Sequence, residues 1–329
     1  MTSADQNLLV RVSRRAMAGE FEVCFAPGSC ADGTQFAIEA LDLVEALEGQ
    51  LSYFRPGSEI SRINRLAAQE PIEIEPWLFD LLQLAMRVFE ETDGAYDVTS
   101  APLWEAWGFA RRAGQVPSDA ELAEALRRVG GRFVELDARR HTIRFLEPGV
   151  RINLGSIGKG YALDACAERL TALGMTDFLL HGGQSSILGR GGLVGPVGDA
   201  GERRPWEIGV ANPRLPGKRL GVVRLRNRAL GTSGGQFQSF RHRGRRWGHI
   251  LDPRTGWPAE GVLLTTMVAP TATLADALST AFHVMGPRLS SAYCDAHPGM
   301  GMVMVSPGKH EPLEVQIAGL DAADVTIDA

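Results

Sequence analysis

The sequence predicts an α+β fold, and three observations predict it. Apolar residues recur at helical spacing in three segments, short runs rich in β-branched and aromatic residues lie between them, and the two kinds of segment do not alternate regularly. Regular strand–helix–strand alternation would have pointed to a doubly wound parallel sheet.

Taken in order, FEVCF at 21–25 reads as a strand and FAIEALDLVEALEGQ at 36–50 as an amphipathic helix. PWLFDLLQLAMRVFEE at 76–91 reads as a second helix, and residues 118–129 as a third, opened by Ser118 as a capping candidate. Strand character returns at RFVEL 132–136, HTIRF 141–145, DFLLH 177–181, WEIGV 206–210, GVVRLR 221–226 and LLTTMVA 263–269. APTATLADALSTAFHVMG at 269–286 reads as a helix starting after Pro270. Glycine and proline are spread through short connections, and no repeat or linker divides the chain.

Composition excludes several function classes. With 329 residues, 44% of them hydrophobic, the chain can bury a large core. The formal charge of -5 comes from 34 basic and 39 acidic residues mixed along the sequence, so no broad positive field exists for nucleic acid. The basic cluster Arg241, Arg243, Arg245 and Arg246 reads as a solvated hairpin. Cys24, Cys30, Cys166 and Cys294 show neither CxxC spacing nor the density of a disulfide scaffold. The polar start MTSADQNLLVRVSRR has its arginines after the apolar run, the wrong order for a secretory signal, and no stretch is apolar enough to span a bilayer. The literal expectation is a cytoplasmic protein.

Five stretches carry potential chemistry. GAYDVTSAPLWEAWGF at 94–109 begins with a glycine suited to a helix C-cap and contains Asp97, Trp104 and Trp107. RINLGSIGKGYALDACAERL at 151–170 runs from a strand through a glycine-interrupted turn into a helix; its first amides and Lys159 suit an anion. The spacing matches neither GxGxxG nor the Walker loop, which leaves phosphate binding and a plain tight turn both open. HGGQSSILGRGG at 181–192 is another glycine-rich turn. TSGGQFQSFRHRGRRWGHILDPRTGWP at 232–258 places His249 beside an Asp-Pro turn. In the helix after Pro270, Asp276 and Thr280 are four residues apart and share a face. A carboxylate and a hydroxyl form a hard oxygen set suited to magnesium, though such a pair also occurs as an ordinary polar face.

Together these stretches resemble the successive signatures of the ApbE family of FAD:protein FMN transferases. FRPGSEISRIN at 54–64 is similar to the family's SxxSRxN segment, GAYDVTSAPLWEAWGF to GAFDxTxxPLxxxWGF, and INLGSIGKGYALD to DLGxIAKGYAxD. HILDPRTG and LADALST follow in family order, and AMAGEFEV at 16–23 is similar to the opening MGTxF segment. The resemblance implies an ApbE-like, T-fold-like arrangement of mixed sheets with packed helices, with 1–15 as an N-terminal extension and 16–329 as the transferase domain. It implies an enzyme that binds FAD with Mg2+, releases AMP, and attaches FMN to a threonine or serine hydroxyl of another flavoprotein. Carried over by position, the FAD contacts are Met17, Phe54, Ala95, Tyr96, Asp97, Asn153, Lys159 and Leu251. The metal ligands are Asp276, Thr280 and an oxygen of Ser156. His249 is the candidate base for the acceptor hydroxyl.

The chain departs from the family pattern at three places. Asn153 replaces the aspartate of DLG, Gly158 the alanine of IAKG, and Gln184 the aspartate of NxGGDI. Two alternatives follow: an FAD pyrophosphatase yielding FMN and AMP, or a flavin-binding protein without catalysis.

Overall fold

One antiparallel sheet of eight strands organises the computed structural model, which describes residues 9–111, 113–194, 203–235, 238–308 and 313–328. From edge to edge its strands are Val10–Ala16, Gly19–Phe25, Phe178–Gly182, Ser186–Arg190, Arg228–Gly234, Leu264–Ala269, Gly301–Pro307 and Leu313–Ala318. Every neighbouring pair runs antiparallel. The first strand begins inside the stretch 1–15 that the sequence sets apart as an extension and crosses its end, and it pairs along its whole length with Gly19–Phe25. An α+β fold is thus observed.

Side chains alternate between the two sheet faces, and each face has its own cover. Phe21, Val23, Phe25, Leu180, Leu188, Ala229, Met267 and Met302 join the core beneath three helices. These are α1 (Gly33–Leu51), α6 (Gly158–Ala172) and α7 (Ala272–Ala296), numbered with four that lie between them in the chain: α2 (Glu59–Leu66), α3 (Pro76–Glu91), α4 (Ala101–Ala106) and α5 (Asp119–Leu126). On the opposite face Leu230, Leu264, Val268, Val303 and Val305 meet Trp206, Ile208, Val223 and Leu225 of a second, three-stranded sheet. Each fully buried aliphatic side chain contributes about 1.5–3 kcal/mol to holding these layers together.

The helices follow their patterns. In α1 the buried residues are Gly33, Ala37, Ala40, Leu41, Val44, Leu47 and Leu51, one stripe at three- and four-residue steps. Helix α3 starts with Pro76 at a position that needs no amide, and it ends where Asp93 and Gly94 take left-handed φ values of 50° and 73°. Ser118 Oγ accepts a bond from the Glu121 amide while the Glu121 carboxylate accepts one from the Ser118 amide, a capping box that opens α5. The expected helix 118–129 ends earlier, at Leu126. The helix expected after Pro270 begins with Thr271 as its cap and breaks at Gly286 (φ 74°), next to Pro287. The 132–136 run is part strand only: Gly131–Phe133 coils into a 3-10 turn after Gly130 (φ 148°), and pairing begins at Val134.

The basic cluster at 241–246 is the exposed end of a hairpin, Ser239–His242 with Arg245–Gly248. Among the described residues no helix is long and apolar enough to cross a membrane.

Candidate active site

Two glycines let the start of α7 sink between α6 and the large sheet. A Cβ on Gly160 would lie 2.1 Å from the Ala272 carbonyl oxygen, and one on Gly231 would lie 2.2 Å from that of Ala275. Neither distance is tolerable for a side-chain carbon, so both contacts require glycine. Asp164, one turn further along α6, accepts bonds from the Ala272 and Thr273 amides at 2.8 Å each and from the Thr273 hydroxyl. It caps α7 from a different helix. Asp276 is thereby fixed, 5% exposed, at the junction of the helices and the sheet.

Its carboxylate is bonded by the Gly160 amide at 2.7 Å and by the Ser186 hydroxyl at 2.5 Å. Burial raises its pKa; the Lys159 charge, Ser186 and Gly160 act against that rise. Around it lie hydroxyls: Ser233 Oγ is 2.9 Å from Ser279 Oγ and 3.3 Å from Thr280 Oγ1. Ser279 and Thr280 also donate to the Asp276 carbonyl, at 2.9 and 3.4 Å. Because the Gly160 amide turns to Asp276, it does not bond the Ser156 carbonyl four residues back. Among the described residues no amide does.

This donor set suits a hard cation. Each carboxylate oxygen keeps a second lone pair, and the hydroxyls and the unpaired Ser156 carbonyl add oxygen donors without any thiol or imidazole. The residues present therefore fit magnesium.

The start of α6 is less open to anions than the sequence suggests. Of its first three amides, that of Gly158 is bonded to Leu154 O at 2.7 Å and that of Gly160 to Asp276. Lys159 remains, and its ammonium is close enough to lower the pKa of both Asp276 and His249. One positive side chain thus links the carboxylate to the imidazole.

His249 sits in a loop clamped by the two tryptophans of the WEAWGF segment. Trp104 donates to the His249 carbonyl at 3.1 Å and Trp107 to the Gly256 carbonyl at 2.8 Å. Trp107 also packs on Trp247 and Trp257, with ring centroids 5.3 Å away in each case. Inside the loop Leu251 is buried and bridges to Pro258, and the Asp252 carboxylate binds Arg254 twice. His249 Nδ1 lies 3.0 Å from the Gln238 carbonyl, which fixes the proton on Nδ1 and leaves Nε2 as the basic nitrogen. Burial lowers the pKa of His249; the Gln238 bond opposes this and Lys159 reinforces it.

Behind His249, His283 is 2% exposed and its pKa is lowered to about 4, by burial first and by His249 second. The unfolded chain thus holds more protons than the folded one between pH 4 and the ordinary histidine value of 6.5. His283 therefore favours the folded state fully above that value and costs stability as the pH falls toward 4, with a limiting effect of about 3 kcal/mol. Urea unfolding from pH 7 to pH 4.5 should show this loss shrinking in a His283→Gln variant; parallel curves would contradict it.

The remaining predicted contacts fall into three groups. Tyr96 is fully buried, its hydroxyl 3.4 Å from Ser156 Oγ and within the field of Asp276, so it belongs to the site. Ala95, Asp97 and Asn153 form the turns beneath it. Asp97 accepts from the Thr99 amide and hydroxyl and from the Gly131 amide, while Asn153 accepts from the Gly155 amide at 2.9 Å. An asparagine closes that turn as an aspartate would, which accounts for the Asn153 departure. Met17 and Ala18 form the two-residue tip of the first hairpin with φ values of 48° and 59°. That conformation favours Asn-Gly, so the strain marks the tip as a place for function. The tip adjoins Gly183, whose amide bonds Glu20 O at 2.8 Å. Phe54 is 62% exposed, edge-on to Tyr53, and Gln184 is exposed at the turn before Ser186.

Sequence reasoning missed Ser186, Ser279, Asp164, Gly160 and Gly231 as parts of this site. The glycines carried a signal, since each interrupts a regular element without a turn; the serines carried none of their own.

Residues 17–304 match the model of the ApbE family. The chain belongs to that family. Among similar proteins, the FAD:protein FMN transferase of Treponema pallidum is 33% identical over 281 residues, covering 82% of this chain and 77% of that protein. The one from Haemophilus influenzae is 32% identical over 264 residues, covering 78% and 73%. Among solved structures, the ApbE protein of Thermotoga maritima superposes with a TM-score of 0.82 at 28% identity, covering 93% of this chain and 96% of that one. The flavin transferase ApbE of Vibrio cholerae gives 0.81 at 27% identity, covering 94% and 97%. This ApbE-family chain thus shares its architecture with flavin transferases from end to end of the aligned fold.

Proposed function

We propose that the chain is a magnesium-dependent FAD:protein FMN transferase that moves FMN from FAD to a threonine or serine hydroxyl of an acceptor flavoprotein and releases AMP. The observation that carries this reading is the oxygen-only cluster of Asp276, Thr280 and the unpaired Ser156 carbonyl beside Lys159, in a chain of this family. Magnesium held there would draw charge from the pyrophosphate oxygens and improve AMP as the leaving group.

The chain's own residues supply the rest. Lys159 offsets pyrophosphate charge, while Met17, Phe54, Ala95, Tyr96, Asp97, Asn153 and Leu251 shape the FAD site. Phosphoryl transfer depends chiefly on such positioning and charge neutralisation. The acceptor hydroxyl oxygen forms a bond to the FMN phosphorus as the bond between the two phosphates breaks. Its proton goes to His249 Nε2, the nitrogen left free by the Gln238 contact. A lowered pKa keeps that imidazole neutral and able to accept.

His249→Gln should therefore slow FMN transfer by about two to four powers of ten and change FAD affinity little. Equal losses in both would assign His249 a positioning role. The reading itself is tested by AMP release from FAD with and without magnesium and an acceptor domain. AMP that appears only with both supports it, whereas full AMP release without acceptor would make the chain a pyrophosphatase.

A further inference from the structure

Away from the active site, Glu22 stands opposite His181 and Cys24 opposite Leu179 on the paired strands Gly19–Phe25 and Phe178–Gly182. Alternation along a strand places Glu22, Cys24 and His181 on one face. It is the face away from the helices, because Phe21, Val23 and Phe25 point to the helical core while Cys24 and Leu179 join the opposite cluster. One ligand atom from each residue lies within 4.8 Å of the others, and Cys24 Sγ is 3.0 Å from Glu22 Oε1.

We propose that Glu22, Cys24 and His181 form a second metal site, for zinc or a similar borderline-soft divalent transition metal. The choice follows from the donors. A thiolate and an imidazole favour such ions over magnesium, and three protein ligands leave one tetrahedral position to water. The His181 ring makes no hydrogen bond to another described residue, so a nitrogen is available to a ligand. Arg11, 3.5 Å from Glu22, neutralises the carboxylate when no metal is present. Glu22 and His181 are both partly exposed and give the ion a way in. On binding, Cys24 gives up its thiol proton to solvent and the freed sulfur electron pair forms the metal bond; no oxidant or reductant is needed.

Cobalt(II) tests this, because a thiolate–cobalt bond gives a near-ultraviolet charge-transfer band that an all-oxygen site cannot. The full chain is titrated with cobalt in excess magnesium, so that the Asp276 cluster is covered, and then with zinc as competitor. The expected result is a band saturating at one equivalent, removed by zinc and absent from Cys24→Ser. In His181→Gln the affinity should fall by at least the roughly 100-fold that loss of an outer-shell partner costs. If the Cys24 variant fails to fold, Glu22→Gln, at a more exposed position, keeps the thiolate band but should weaken cobalt affinity as His181→Gln does, and an affinity unchanged in both would overturn the proposal. No band in the wild-type protein, or a band that survives in Cys24→Ser, would overturn the proposal.

Discussion

Asp276→Asn should lower magnesium-dependent AMP release from FAD by about three powers of ten or more, the rate equivalent of the several kcal/mol a catalytic metal ion supplies. The fold should survive. Asp276 receives one bond from the Gly160 amide and one from the Ser186 hydroxyl. An asparagine can accept the first through its oxygen and donate to the second through its amide nitrogen, since a hydroxyl both donates and accepts. What disappears is the negative charge that would hold the proposed cation and that balances Lys159. Two measurements belong together: turnover across a magnesium titration, and the urea midpoint of the variant. Activity restored by high magnesium would assign Asp276 to metal affinity alone. Unchanged turnover at low magnesium would remove it from the site.

Gly160→Ala should destabilise the protein by roughly 3 kcal/mol or more and abolish turnover, at the upper end of what overpacking usually costs. Judged by helix propensity alone the change should be favourable by about 1 kcal/mol, because glycine is a poor helix former. The added methyl, however, would lie 2.1 Å from the Ala272 carbonyl oxygen and 2.8 Å from Thr273 Cα. Both are backbone atoms, so no rotamer change relieves the contact, and α6 and α7 must move apart. That movement also withdraws the Gly160 amide from Asp276. Gly158→Ala is the internal control: its methyl would meet nothing nearer than Leu51 Cδ1 at 3.8 Å. It should be neutral or slightly stabilising, as the alanine found there in the family pattern suggests. Denaturant unfolding of the two variants side by side checks the contrast, and equal stabilities would contradict it.

These two positions also show what the sequence could and could not disclose. The helices over 36–50 and 76–91 were legible because one face of each is continuously apolar, and Ser118 because a capping box is local. The edge strand Val10–Ala16 was obscured by three arginines: Arg11 and Arg15 lie on its exposed side, while Arg14 shares the face of Val10 and Val12 and is held by Asp42 and Glu45 of α1. Gly301–Pro307 is buried on both faces and reads as an unbroken apolar run, a pattern that does not separate strand from helix. At the site, Asp276 and Thr280 share one face of a helix, a spacing that equally fits an ordinary polar face, and it is the family resemblance that singles them out. Ser186 and Ser233 come from neighbouring strands joined only by sheet register; both fall within glycine-rich stretches that stand out in the sequence, but nothing there shows that their hydroxyls meet at Asp276 and Thr280. Nor could sequence show that the Asp97 carboxylate is engaged by Thr99 and Gly131, or that Trp104 and Trp107 clamp the His249 loop instead of merely filling a core.

Covalent transfer is read directly from the intact mass of an acceptor flavoprotein domain after incubation with the purified chain, FAD and magnesium. The mass should rise by one FMN phosphoryl unit, mapped by peptide sequencing to a threonine or serine, present with magnesium and absent both without it and with Asp276→Asn. An acceptor mass that stays unchanged while FAD is split to FMN and AMP would contradict it.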